Sequence, residues 1–289
     1  MGRGPDGRKS HDSVAKMKVV CFVTGSGVKP LALVTGASSG IGYELGVQFA
    51  KAGFDVIAVA EDPAIHEAAG RLKELGAMAE AVQADLATPQ GVEFAWAAVR
   101  GRPLDAVAIN AGVGVAGDFA RDNSLEAELR LVNLNVTSAV HLAKLVLPRM
   151  ISRGAGRLLF TSSIAGTMPG PYHASYAASK AFLLSFAEAI RHELLDTGVT
   201  VTALMPGPTE TEFFDRAGLQ DSKLGQMDKD DPADVARQGF EAMMAGKDHI
   251  IAGSMKNKIQ ATAAKVLPET TKAKMQARLT EPGGGEGRS

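Results

Sequence analysis

The apolar run Leu31-Ala32-Leu33-Val34 leads without a break into Thr35-Gly36-Ala37-Ser38-Ser39-Gly40-Ile41-Gly42, and residues 43–52 then read as a helix that stops at Gly53. No other stretch limits the fold so strongly. A continuous apolar run suits a strand covered on both faces, the condition of a parallel sheet. Glycines at a strand-to-helix turn let backbone amides approach a pyrophosphate, and the partial positive charge at the helix N-terminus favours the anion. On this reading Gly36, Ser38, Ser39, Gly40, Ile41 and Gly42 cradle the phosphates of a nucleotide.

The same alternation continues downstream. Residues 54–60 read as a strand, 63–75 as a helix, 77–84 as a strand ending at Asp85-Leu86, 88–99 as a helix holding the only tryptophan, Trp96, and 104–109 as a strand closing on Asn110-Ala111-Gly112. Trp96 reads as core rather than site. Strands alternating with helices predict an α/β fold, a Rossmann-like doubly wound parallel sheet with helices on both faces in a single domain. Ligands of such sheets bind beyond the carboxyl ends of the strands, where the glycine-rich turn, Asp85, Leu86 and Asn110-Ala111-Gly112 all fall.

Further along, Tyr176-Ala-Ala-Ser-Lys180 places a phenol and an ammonium four residues apart, on one face of a helix if the segment is helical. A phenol with a pKa near 10 is a poor base at neutral pH unless a neighbouring cation stabilises its anion. Ser163 adds a hydroxyl upstream, so three donors can converge on one substrate oxygen.

Composition excludes several classes. With 289 residues, 45% apolar and 22% charged, the chain can bury a full core, and a net charge of −1 gives no field for nucleic acid. Its one cysteine, Cys21, forms no internal disulfide, no His and Cys pattern marks a metal site, and the apolar runs read as too short for a membrane span. A reducing cytoplasm fits.

Taken together, the Thr-Gly-x-x-x-Gly-x-Gly turn, Asp85, Asn110-Ala111-Gly112, Ser163, Tyr176-x-x-x-Lys180 and Pro206-Gly207 make residues 31–253 resemble the short-chain dehydrogenase/reductase family, of the 3-oxoacyl reductase and hydroxysteroid dehydrogenase type. The resemblance implies hydride transfer between a nicotinamide and a secondary alcohol or ketone, with a fairly apolar substrate. It implies that Tyr176 is the acid/base and that Ser163, thirteen residues before it, orients the substrate oxygen, with Ser162 as fallback. Lys180 then lowers the tyrosine pKa and holds the ribose. Asn135, which fits the family better than Asn133, loosens the long helix read at 124–150 and holds a relay water. The segment Pro206-Gly207-Pro208-Thr209-Glu210-Thr211 covers the nicotinamide, with Thr211 the better match for its carboxamide and Thr209 near. Helices 124–150 and 176–195 imply a homodimer or homotetramer.

In the same register Ala60 takes the family's usual aspartate position, and Glu61 falls where phosphate-binding members often carry arginine. Glu61 and Asp62 would repel a 2′-phosphate, and Ser38 and Ser39 bring no compensating cation, so NAD(H) is the expected cofactor without excluding NADP(H).

Residues 1–29 read as a loose tail in which 19–25 form an optional strand, 30–253 as the catalytic domain, and 254–289 as a basic helical extension with a disordered end. The extension reads as two short helices broken at Pro268 with a solvated face. Residues 213–228 read as a substrate lid or an ordinary surface loop, Phe213, Phe214 and Leu219 giving it an apolar inner side, and His173 and His192 are rejected as bases. The rival reading is a nucleotide-binding regulatory or scaffold protein that keeps the fold without turnover.

Overall fold

The computed structural model describes residues 28–254 and 268–285. The optional strand at 19–25, Cys21 and the first half of the basic extension lie outside them. Seven strands form one parallel sheet: β1 Leu31–Thr35, β2 Asp55–Ala60, β3 Ala79–Gln83, β4 Ala106–Ile109, β5 Gly156–Thr161, β6 Val199–Pro206 and β7 His249–Ala252. Their order is β3-β2-β1-β4-β5-β6-β7. It reverses direction at β1, which pairs with β2 on one side and β4 on the other. A crevice opens at such a switch point.

Side chains alternate across the sheet and so build two cores. Leu31, Leu33, Ile57, Val59, Val107 and Ile109 enter the first, and Ala32, Val34, Val56, Ala58, Ala106 and Ala108 the second. On the first face pack α3 (Pro89–Ala97), α5 (Ser138–Arg153) and α6 (Ala174–Glu193), and on the second α1 (Gly40–Lys51), α2 (Ile65–Glu74) and α9 (Pro232–Met244). The starts of α3 and α9 follow from sequence: Thr88 and Asp231 accept backbone amides of the first turn, and proline follows each cap. Trp96 packs against the first core with the Arg149 guanidinium 4.7 Å above its ring.

The long helix read at 124–150 is three pieces: α4 (Leu125–Val132), a π-helical turn at Asn133–Thr137, and α5. By length and composition the run Leu125–Arg153 is apolar enough to cross a membrane, which corrects the reading that every apolar run is too short. Half of that apolar window is buried inside the molecule, where Leu131, Leu134, Leu142 and Val146 serve the core. Between β6 and α9 the chain makes two short helices, α7 (Phe213–Arg216) and α8 (Lys223–Gln226).

The C-terminal helix α10 (Glu269–Thr280) begins directly after Pro268. Its solvated face carries Glu269, Lys274, Met275 and Arg278, while Lys272, Gln276 and Thr280 are buried on the opposite side, which its composition did not suggest. The glycines after it, expected to be disordered, form a turn in which the Gly285 amide donates to the Asp221 carbonyl at 3.0 Å.

Candidate active site

Packing fixes the glycine-rich turn at the end of β1. Gly36 has φ +66°, in the left-handed region that favours glycine. A Cβ on Gly42 would sit 2.0 Å from the Gly36 carbonyl oxygen, so only glycine lets α1 start this close to the strand. Ser39 caps α1 without a side-chain hydrogen bond, which leaves the first-turn amides facing the cavity lined by Ser38, Ser39, Gly40 and Ile41. Unpartnered amides at a helix N-terminus suit an anion, so these residues fit a dinucleotide's phosphates.

Thr35 ties this turn to the next strand. Its hydroxyl accepts the amides of Asn110 and Ala111 at 2.9 and 3.0 Å. The Asn110 side chain donates to the Thr35 carbonyl at 3.1 Å and accepts from the Thr161 hydroxyl at 2.9 Å. The ends of β1, β4 and β5 are therefore locked at one level, and β5 hands Ser162 and Ser163 into the cavity.

Tyr176 and Lys180 leave α6 one turn apart, with Lys180 Nζ 5.6 Å from the Tyr176 ring centre. Burial pushes the Tyr176 phenol up to about 12, and a hydrogen bond with Ser163 works in the opposite direction. Part of the ring stays open to the cavity, so solvent there tempers the shift. Lys180 Nζ donates to the Thr161 carbonyl at 2.8 Å, and burial brings the ammonium itself down to about 8, so burial rather than Lys180 dominates the resting phenol. Ser162 donates to the Lys180 carbonyl at 2.6 Å and thereby braces the helix, whereas Ser163 keeps a long 3.3 Å contact to the Pro206 carbonyl.

Asn135 lies behind the cavity, 1% exposed, at the π-helical turn. Its Oδ1 accepts the Val113 amide at 2.9 Å, and its Nδ2 donates to the Val113 carbonyl at 2.9 Å and to Ser179 Oγ at 3.0 Å. A Cβ on Gly112 would lie 3.2 Å from Asn135 Oδ1 and 3.3 Å from Lys180 Nζ, so a side chain there would fill the space these two groups share.

Pro206, Gly207, Thr209 and Thr211 line the same cavity from the end of β6. Thr211 sits against the glycine-rich turn, where a Cβ on Gly40 would be 2.9 Å from its methyl. Of the two lid readings, the geometry supports an apolar cover: Phe213 lies 5.0 Å from the Tyr176 ring, and Phe214, Ala217 and Leu219 form a small core.

Three expected residues stand apart. Glu61, Asp85 and Leu86 do not line this cavity; they flank its nucleotide edge at the ends of β2 and β3. Arg130 of α4, which the sequence reading missed, joins the two acids, with one amino group 2.6 Å from Glu61 and the other 3.0 Å from Asp85. Burial works to raise the Asp85 carboxyl, but Arg130 and the Ala87 amide outweigh it and hold it below the usual range. Arg130 thus brings to this edge a cation that the glycine-rich turn itself does not supply. Arg216 likewise pairs with Asp62 at 3.2 Å. His192 is exposed on α6, while His173, set aside as a base in the sequence, lines the cavity beside Tyr176. Among the described residues no group of three or more His, Cys, Asp or Glu is placed to hold a metal ion.

A protein-family profile described as short chain dehydrogenase matches residues 30–221. The chain belongs to the short-chain dehydrogenase family. One relative, the 1-deoxy-11-beta-hydroxypentalenate dehydrogenase of Streptomyces exfoliatus, is 37% identical over 185 residues, which cover 62% of this chain and 67% of its own. Among solved structures, a short-chain dehydrogenase from Sphingobium yanoikuyae in complex with NADPH matches with a TM-score of 0.72 at 31% identity, covering 77% of this chain and 87% of that one. A bulky-bulky ketone specific alcohol dehydrogenase from Comamonas testosteroni matches at 0.69 and 26% identity, covering 82% and 92%. As a short-chain dehydrogenase, the protein is an NAD(P)-binding oxidoreductase of the kind that acts on CH-OH and C=O groups.

Proposed function

We propose that this short-chain dehydrogenase interconverts a fairly apolar ketone and its secondary alcohol, with Tyr176 as the proton donor in reduction and acceptor in oxidation. The observation that carries this reading is the convergence of the Tyr176 phenol and the Ser163 hydroxyl in one cavity, where Ser163 works to lower the phenol's pKa, with Lys180 one turn away. The nicotinamide cofactor, held by the glycine-rich turn and the Asn110-Ala111-Gly112 and Pro206–Thr211 segments, supplies the hydride. Ser163 orients and polarises the substrate oxygen. Lys180 carries positive charge below its pKa near 8 and stabilises negative charge as it develops on Tyr176. Asn135 holds the backbone at Val113 beside Lys180, where a water can link Tyr176 to solvent.

The apolar substrate rests on the lid side chains Phe213, Phe214 and Leu219 lining the cavity, and accords with the ketone specificity of the Comamonas relative. NAD(H) is the preferred nucleotide on this reading. Glu61 and Asp62 flank the ribose end, and both nearby guanidiniums, Arg130 and Arg216, are already engaged by carboxylates. A homo-oligomer is proposed through the outer faces of α4 and α6, where Leu125, Leu129 and Phe182 are exposed. Light scattering on the purified protein tests it, a monomer being the contrary result.

The test is the absorbance of the reduced nicotinamide with a broad panel of bulky ketones and alcohols. Turnover supports the enzyme, whereas cofactor binding without turnover across the panel favours the scaffold reading.

A further inference from the structure

Helix α10 closes one side of the cavity, and polar residues seat it there. The buried Thr280 hydroxyl donates to the Pro171 carbonyl at 2.8 Å, pinning the helix to the loop that leads into α6 and Tyr176. One turn earlier Gln276, 6% exposed, lines the cavity together with Leu279. Its Nε2 lies 3.3 Å from His173 Nε2, and the His173 ring centre lies 5.9 Å from that of Tyr176. His173 is 2% exposed, and burial brings its pKa down to about 4, so near neutral pH it meets Gln276 as an uncharged imidazole.

An amide has two polar ends, and His173 occupies only one of those on Gln276. The other has no hydrogen-bond partner among the described residues, yet it is not among the polar atoms sealed from solvent. Because Gln276 lines the cavity, this end is available to a ligand there. The surrounding wall is apolar, built from Met168, Phe213, Leu219, Leu224, Met227 and Leu279. The two charged side chains at the rim, Glu212 and Arg216, pair with each other. A ligand that fills the cavity displaces water from this end of the amide, and leaving it without a partner then costs about 1–3 kcal/mol, so a ligand that satisfies the amide is favoured over one that does not. A hydroxyl can both donate and accept, so it fits whichever end of the amide faces the cavity.

We propose that Gln276, held by His173, determines substrate specificity, and that the substrate is a neutral, largely apolar ketone or secondary alcohol carrying a second hydroxyl that binds the Gln276 amide. The inference rests on the reading of Tyr176 as the group at the reacting carbon. His173 neighbours both groups, its ring centre 5.9 Å from that of Tyr176 and its Nε2 3.3 Å from that of Gln276, so on this inference the second hydroxyl is separated from the reacting oxygen by the length of a fused-ring skeleton.

The experiment compares 2-decalone with its 6-hydroxy derivative as substrates for the full chain, using the reduced nucleotide it accepts. The unmodified enzyme is expected to favour the hydroxylated ketone by about tenfold in kcat/KM, the value of one neutral hydrogen bond. Gln276→Leu is expected to abolish that preference through KM, with kcat on plain 2-decalone retained. Equal efficiency on both ketones in the unmodified enzyme overturns the inference and leaves the carbonyl-reduction reading standing, and it does so even if the variant fails to fold. A variant that loses both activities in parallel also overturns it. Consumption of neither ketone overturns this inference together with the reading on which it rests.

Discussion

The Arg130 guanidinium bridges Glu61 and Asp85, 2.6 Å from the first and 3.0 Å from the second, across 69 and 45 residues of sequence. This contact ties the ends of β2 and β3 together and orients the Glu61 carboxylate at the nucleotide edge. Because Glu61 and Asp62 remain acidic there, the account expects NAD(H) to give the higher kcat/KM in the unmodified enzyme. Glu61→Arg should shift the ratio toward NADP(H) by about tenfold or more, the scale of a hydrogen bond to a charged group. Steady-state kinetics with both nucleotides measures this. An unchanged ratio would mean that the side chain does not face the ribose.

Lys180 carries two assigned tasks, so Lys180→Ala should lower turnover and weaken nucleotide binding together. The pH profile separates these effects. Lys180 loses its proton as pH rises through about 8, so reductive kcat/KM should fall above that point, and the falling limb should be absent in the alanine variant. Unaltered nucleotide affinity would remove the ribose contact.

Much of this was readable from the chain because one periodicity governs it. Leu31-Ala32-Leu33-Val34 sends alternate side chains into two cores, and a strand doing so must be covered on both faces. What escaped the sequence reading has physical reasons. The apolar spacing alone reads as one continuous helix, and only the resemblance, through Asn135, points to the loosening that the π-helical turn at Asn133–Thr137 provides. Arg130 finds its partners through the crossover of the sheet, and nothing local to residue 130 marks them. Helix α10 read as solvated because its apolar stripe is modest. Its buried side is seated by Thr280 and Gln276, and polar burial leaves no hydrophobic period to detect.

His173 should make stability depend on pH. Its pKa is near 6.5 in the unfolded chain and about 4 when folded, so between these values the unfolded state binds more protons and stability falls as pH is lowered. The loss expected from pH 7 to pH 4 is about 3 kcal/mol from this residue. Denaturant unfolding of the unmodified protein and His173→Asn at both pH values measures it. Equal pH dependence in the two proteins would place the histidine outside the effect.

Gly42→Ala forces a methyl onto the Gly36 carbonyl, so the turn must open. Overpacking of this kind costs about 1–3 kcal/mol, and nucleotide affinity should fall with it because the cradle itself moves. Gly70→Ala, where nothing lies within 4 Å of the added Cβ, serves as the control and should bind normally. Thermal melts with and without nucleotide report both effects.

The central claim is that Tyr176 moves the proton, and Tyr176→Phe removes its hydroxyl while leaving the ring against Phe213. The decisive measurement is kcat for ketone reduction by this variant beside its nucleotide affinity from fluorescence titration. The account predicts a kcat lowered by about 10² to 10⁴ with nucleotide affinity nearly unchanged. A variant that reduces ketones at close to the unmodified rate would contradict it.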